Sequence, residues 1–338
     1  MPKSTETKSH EGDHVLEETP SKAIPDDTVP SGEADIQKES QKERLIYSVI
    51  SLLRDVKQTL KPTLNDDDIQ NLSLKVEELD ITDHGDTSTW SFFEPLSRDD
   101  LQNHPMSEDK DTQSSVVVLG DLTRFGLFSA ADCLCTMIAW QSAGAKRIAI
   151  PEGHGKTLAS LTGWRHQEGF TERVFKDDYW DSTFSGVYSR FCATGVWESR
   201  GPGEKAPHVI LLLKNDLVKE DKLLRGELLI ILAAMETRLT HDMFKKHLVI
   251  PVTVLSFMGQ HGRIIKAYHD GENLILRKSK LLEFFTADTA PIDLFVRHAS
   301  SKRVGNTKQL PTMVKDQQEA VSQSRPEYQP DPGLKDSL

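Results

Sequence analysis

Apolar positions concentrate between Pro207 and Lys280, and their spacing there predicts strand, helix, strand and hairpin in that order. Val209 to Leu213 is an unbroken apolar run, the pattern of a strand covered on both faces. Leu223, Leu224, Leu228, Ile231, Leu232, Met235 and Leu239 then recur at helical spacing with Glu227, Glu236 and Arg238 between them, which predicts an amphipathic helix lying on a sheet. Leu248 to Phe257 is apolar and β-branched. Pro251 cannot donate to a ladder, so the first half of that run reads as an edge or a lead-in. Ile264 to Tyr268 and Leu274 to Arg277 flank His269-Asp270-Gly271-Glu272, and Asp-Gly between two extended apolar segments predicts a hairpin.

The pattern weakens on either side. Leu45, Ile46, Val49, Ile50, Leu52, Leu53, Val56 and Leu60 predict a helix from Glu43 to Lys61, ended by Pro62. Asn65 followed by three aspartates suits the N-cap of a helix over Ile69 to Leu79, since it lacks the alternating ligands and central glycine of a calcium loop. Val116 to Leu119, Leu127 to Ser142 and Arg147 to Ile150 read as a strand, a helix and a strand, a candidate βαβ unit. Leu281 to Phe285 and Ile292 to Arg297 predict short closing segments. The fold class that follows is α/β, or α+β, with a central mixed sheet, a C-terminal hairpin, flanking helices and disordered termini. Residues 1–42 read as a disordered acidic tail, 43–304 as a single domain and 305–338 as a second disordered tail.

Composition narrows the function classes. The chain has 338 residues, of which 37% are hydrophobic, and 52 acidic against 41 basic residues give a formal charge of -11. That balance argues against general nucleic-acid binding, which depends on neutralising phosphates, and leaves room for a local basic patch. Cys133, Cys135 and Cys192 form neither an even disulfide framework nor a Cys-x-x-Cys pair, as expected of a reducing compartment. No secretory signal pattern opens the chain, and no apolar run approaches the roughly eighteen residues of a membrane span. The expectation is an intracellular protein, cytoplasmic or nuclear, with no membrane partner; no other partner is readable.

Candidate chemistry is sparse. Gly155-Lys156-Thr157 follows an apolar run and resembles the end of a phosphate loop, with Lys156 and Thr157 as cofactor-binding candidates. The motif's first glycine falls on Ile150, however, and Pro151 removes an amide donor. Between Trp164 and Glu198 many aromatics alternate with Arg165, Arg173, Lys176 and Arg190, a pattern able to stack bases, offset by nearby acids and equally suited to packing. Arg200 to Lys205 reads as an exposed turn. His261 and His269 flank one predicted strand with Arg263 between them, a conceivable polar cluster. No metal site and no obligatory cofactor is expected.

Arg225-Gly226-Glu227, His247 to Val252, Ser256 to Arg263, Ala267 to Gly271 and Ile292 to Arg297 together resemble a group of uncharacterised proteins from filamentous fungi, over roughly residues 209–304. Some of these look like accessory proteins of secondary-metabolite clusters, so the resemblance implies an accessory role without an assigned reaction. The same region is more weakly similar to the restriction-endonuclease-like fold, in which a strand carrying acid-x-Lys precedes a helix and a further strand. Lys214 takes the lysine place and Leu212 the acid place, and leucine cannot ligate Mg²⁺. That resemblance implies Asp181, Lys214 and Glu227 as catalytic candidates around Mg²⁺. The expectation favours an accessory protein without catalysis, with a Mg²⁺-dependent or degenerate nuclease and a nucleotide binder as alternatives.

Overall fold

In the computed structural model, residues 32–81, 91–109, 122–152, 154–168, 175–176, 191–200, 205–286 and 288–311 are described. Among them are seven helices: α1 (Gly32–Gln58), α2 (Asp66–Asn71), α3 (Arg98–Asn103), α4 (Leu127–Ala139), α5 (Leu158–Leu161), α6 (Arg225–Thr240) and α7 (Ile292–Ala299). The strands are β1 (Thr63–Leu64), β2 (Leu74–Glu78), β3 (Phe93–Glu94), β4 (Trp164–Glu168), β5 (Phe191–Ser199), β6 (Val209–Asn215), β7 (Leu223–Leu224), β8 (Val252–Met258), β9 (His261–His269), β10 (Leu274–Lys278), β11 (Leu282–Glu283) and β12 (Lys302–Arg303). A large mixed sheet of eight strands runs β2-β10-β9-β8-β6-β5-β4, with β11 added beside β9. The fold is α/β. Glu39–Leu338 forms one compact unit, and the short leading unit Met1–Lys38 is described only over the first residues of α1.

The apolar run in β6 is buried at every position from Val209 to Leu213, as a strand covered on both faces must be. It pairs parallel with β8 (Leu212 opposite Leu255) and antiparallel with β5. The parallel pairing needs a crossover, which α6 supplies. The expected hairpin forms between β9 and β10, with His269 opposite Leu274. Its turn is held by Asp270 Oδ1, which accepts from Glu272 N and Asn273 N at 2.8 and 2.7 Å. Gly271 has φ 112°, a conformation side-chain-bearing residues avoid. Pro251 is a lead-in rather than an edge: β8 starts immediately after it in the middle of the sheet, and the Pro251 carbonyl accepts from Val209 N at 3.0 Å.

Side-chain alternation puts Leu213, Ser256 and Arg263 on one sheet face and Leu212, Lys214 and Phe257 on the other. On the first face lies α6, buried from Gly226 to Leu239. It was expected to be amphipathic, but its polar residues are ion-paired inside the protein. Glu227 pairs with Arg263 (2.5 Å), Glu236 with Lys176 (2.6 Å) and Arg238 with Glu198 (3.5 Å). The C-terminal end of α1 is fastened to the start of α6, since Arg225 Nε and Nη2 donate to the Val56 and Lys57 carbonyls at 3.1 and 3.0 Å. The opposite face carries α4 and α7, with Phe295 of α7 packed on Phe257 and Phe284 (centroids 5.2 and 5.1 Å).

Several expectations are corrected. α1 starts at Gly32, inside the expected tail, because Glu, Ala, Gln, Lys and Arg favour helix without an apolar stripe. The helix expected over Ile69 to Leu79 stops at Asn71, although the Asn65–Asp68 capping box does form, and Leu74–Glu78 becomes an edge strand parallel to β10. Arg147 makes one isolated antiparallel bridge to Met106, so Arg147 to Ile150 is not a strand; Val116 to Leu119 lies outside the described residues. The described part of the second tail, residues 305–311, is tied down: Thr307 O accepts from Leu248 N and Val249 N at 2.8 and 3.0 Å, and Leu310 is buried.

Two measurements check this frame. Glu227→Ala leaves the Arg263 guanidinium buried without its carboxylate and lowers the unfolding free energy by about 3–5 kcal/mol in a urea titration. The second concerns buried neutral histidines, with burial holding His208 down to about 3 and His269 down to about 4. Unfolded, both titrate near the ordinary value of 6.5, so their contribution is complete above that pH and is lost as the pH falls towards 4 and then 3. The urea midpoint accordingly holds between pH 8 and 7 and falls between pH 6 and 4, and His269→Gln flattens the upper part of that fall.

Candidate functional site

The polar residues that the core does not use lie on the α4 face of β5 and β6 and along the edge strand β4. Antiparallel pairing of β4 with β5 sets Trp164 opposite Ser199, and Arg200 N donates to Gly163 O at 2.9 Å, so Arg165 and Arg200 share one end of the hairpin. α4 lies across β6 and ends in a π-helical turn, Trp140–Gly144, closed by a 2.6 Å bond from Ala145 N to Trp140 O. Such turns bulge a helix and re-aim side chains. Gly144 is required there, because a Cβ at that position would stand 2.9 Å from Trp140 Cδ1.

Between these elements run two cavities that share Ala143 and His166. The inner one, about 500 Å³, is lined by Asp132, Cys135, Thr136, Ala139, Trp140, Gly144, Thr194 and Leu212 besides the shared pair. The outer one, about 560 Å³, is bounded by Arg165, Arg200, Lys205, Thr157, Ser160 and Ser199, with Trp164 and Ala159 behind. Among the described residues no carboxylate lines the outer cavity. Among the described residues Arg165, Arg200 and Lys205 have no acidic partner. Arg165 Nε and Nη2 meet only the Gln167 side-chain oxygen, at 3.1 Å, in the amide orientation that satisfies both groups. Ser199 Oγ accepts from Arg303 Nη1, so its own proton is left to donate elsewhere.

Lys214 lies on this face and is already engaged. Its ammonium donates to Asp132 Oδ1 at 2.6 Å and sits 4.4 Å from the Phe128 ring centre. Leu212, at the acid place, lines the inner cavity. Glu227 is on the other face, where both its oxygens are taken by Arg263 and by Leu224 N (2.9 Å). The sheet therefore separates Lys214 from Glu227; Asp181 lies outside the described residues. Among the described residues, no three His, Cys, Asp or Glu side chains gather to hold a cation.

The other candidates divide. Thr157 is the N-cap of α5, accepting from Ser160 N at 3.2 Å, and it lines the outer cavity, whereas Lys156 is exposed and does not. Four residues of helix give no sustained dipole, and Gly153 of the candidate loop lies outside the described residues. His261, Arg263 and His269 do not cluster. Arg263 is buried with Glu227, His261 lies 3.9 Å from Glu283, and His269 bonds Ser48 at the far end of β9. Gly271 N donates to His269 Nδ1, so the ring carries its proton at Nε2, facing Ser48 Oγ at 3.1 Å.

In the sequence Arg165 belongs to a mixed aromatic segment, and Arg200 and Lys205 to an expected exposed turn. What joins them is the β4–β5 register, which residue spacing does not display. Trp140 was not singled out; the signal for it was a glycine four positions on, near the end of an apolar helix.

Burial pushes the Cys135 thiol up to about 12, a rise that the Thr194 hydroxyl opposes only in part, and it also raises Cys192. Burial thus favours the protonated thiol at both positions. Iodoacetamide at pH 8 therefore leaves Cys135 unmodified in the native protein and alkylates it in 8 M urea (~8 M is enough to expose the core), as peptide mass mapping reads directly.

Comparison of the chain with protein-family models, curated proteins and solved structures finds no match.

Proposed function

We propose that this chain is a binding protein that captures an anionic ligand in the cleft between the α4 π-turn and the β4–β5 hairpin, without catalysis at the Lys214 position. One observation carries the reading: among the described residues, Arg165, Arg200 and Lys205 line a cavity of about 560 Å³ with no carboxylate on its wall. Cations gathered without counter-charges repel one another, and an anion entering between them removes that repulsion and gains charge-assisted hydrogen bonds. The hydroxyls of Ser199 and Thr157 add neutral contacts that leave the charge balance to the ligand.

The nuclease alternative has less behind it. Metal-assisted phosphodiester cleavage needs carboxylates converging near the lysine. Here Leu212 faces the cavity, Asp132 is paired with Lys214 through one oxygen, and Glu227 is across the sheet. A non-catalytic binder is also the accessory role implied by the resemblance to filamentous-fungal proteins, and the secondary-metabolite context belongs to the same proposal.

Titration calorimetry with pyrophosphate at low salt tests the reading. The expected result is one site that weakens as salt rises, and Arg200→Ala and Lys205→Ala each reduce affinity by roughly tenfold or more, the value of a charge-assisted hydrogen bond. Absence of binding by the unaltered protein, or binding that both variants keep, overturns it.

A further inference from the structure

We infer that the ligand of this cleft is a nucleoside phosphate, its flat ring in the inner cavity against Trp140 and its phosphates among Arg165, Arg200 and Lys205. The inference rests on the anion-binding reading above and adds the identity of the organic part.

The two cavities differ in chemistry and share a boundary. Positive charge lines the outer one, while the inner one, apart from the Asp132 carboxylate, has walls of Trp140, Ala139, Ala143, Gly144 and Leu212, an indole beside small or aliphatic side chains. Such walls suit a planar ring rather than a sugar, whose hydroxyls need polar partners on every side. The remaining inner residues are hydrogen-bonding groups suited to a ring edge. Asp132 offers Oδ2, because Lys214 occupies only Oδ1. Thr194 Oγ1 is buried and, apart from a weak contact to the Cys135 thiol, has no hydrogen-bond partner among the described residues. A buried hydroxyl left so is costly unless a ligand satisfies it. His166, which lines both cavities with its ring 4.5 Å from that of Trp197, stands where the sugar between ring and phosphates would lie. Each cavity is of ordinary small-ligand size, and together they hold a two-part molecule.

This site differs from a phosphate loop. Lys156 takes no part, and the contacts come from side chains on the β4–β5 hairpin and its exit rather than from successive backbone amides. The overall charge of -11 disfavours a long polyanion, so a mononucleotide is preferred to a nucleic-acid strand.

The experiment compares ADP, GDP, CDP and UDP with pyrophosphate, with the four nucleosides and with a short single-stranded oligonucleotide, by calorimetry and tryptophan fluorescence. At least one diphosphate should bind roughly tenfold or more tightly than pyrophosphate and quench the fluorescence, as ring stacking requires. Trp140→Ala should reduce that nucleotide to the affinity of pyrophosphate while leaving pyrophosphate unchanged, Trp140→Phe should keep most of the preference, and Arg200→Ala should weaken both. If Trp140→Ala does not fold, Ala139→Leu, which fills the inner cavity alone, gives the same comparison. Pyrophosphate bound and every nucleotide no tighter sinks this inference and leaves the anion reading standing. No binding of either sinks both, and an oligonucleotide bound tenfold more tightly than any mononucleotide overturns the choice of a small ligand.

Discussion

One buried ion pair sets the geometry on which the rest depends. Arg263 on β9 uses all five of its N–H groups: Nε and one Nη2 hydrogen on Glu227, the others on the carbonyls of Lys222, Asp221 and Glu220. Glu227 in turn accepts the amide of Leu224, closing the first turn of α6. Both side chains are fully buried, so neither charge is met by water. The pair does little for net stability relative to apolar packing, but a mispaired arrangement would bury a bare charge, which makes the register of β9 against α6 costly to alter. Neighbouring residues extend the interlock. Arg225 closes the end of α1, and Gly226 lies so near Phe191 that a Cβ would stand 2.8 Å from its ring.

With that face committed to α6, polar chemistry is left to the other face. Alternation along β6 sends Lys214 and Leu212 towards α4, the side away from Glu227. A residue two positions before the lysine points into the inner cavity, as an acid there would, but it is a leucine. The wall it forms is apolar, and the one nearby carboxylate, Asp132, is half exposed and held by Lys214. The same position that would decide for metal chemistry therefore favours a flat apolar surface. Cations with no acidic partner among the described residues enter farther out, where the β4–β5 hairpin ends.

What the sequence revealed follows from which physics is local. The β6 run, the α6 period, the Asp270-Gly271 turn and the Asn65 cap are set by residues within a few positions of one another, and each formed. Segments governed by distant partners misled: Leu74–Glu78 became a strand only because β10 was there to pair with, and Arg147 found only Met106. The segments around Arg225, Arg263 and His269 serve architecture rather than chemistry. Arg225, Gly226, Glu227 and Arg263 form the buried interlock, and His269 and Asp270 hold a turn. Residues with such exacting steric and charge demands stand out in a sequence, whereas a cleft wall of Ala139, Ala143, Arg165 and Ser199 has no distinctive spacing.

The global charge and the local cleft pull in opposite directions, and the length scale of screening decides between them. At physiological ionic strength a charge is felt over about 8 Å, so most of the 52 acidic residues exert little force on an anion once it lies in the outer cavity. At longer range, and in low salt, they slow its approach. A ligand of few charges that enters the proposed cleft entirely meets Arg165, Arg200 and Lys205 first, while a long chain of phosphates is left to the overall negative charge of the protein. Size thus becomes a criterion of selection built from electrostatics alone, and it operates without any contact that recognises length.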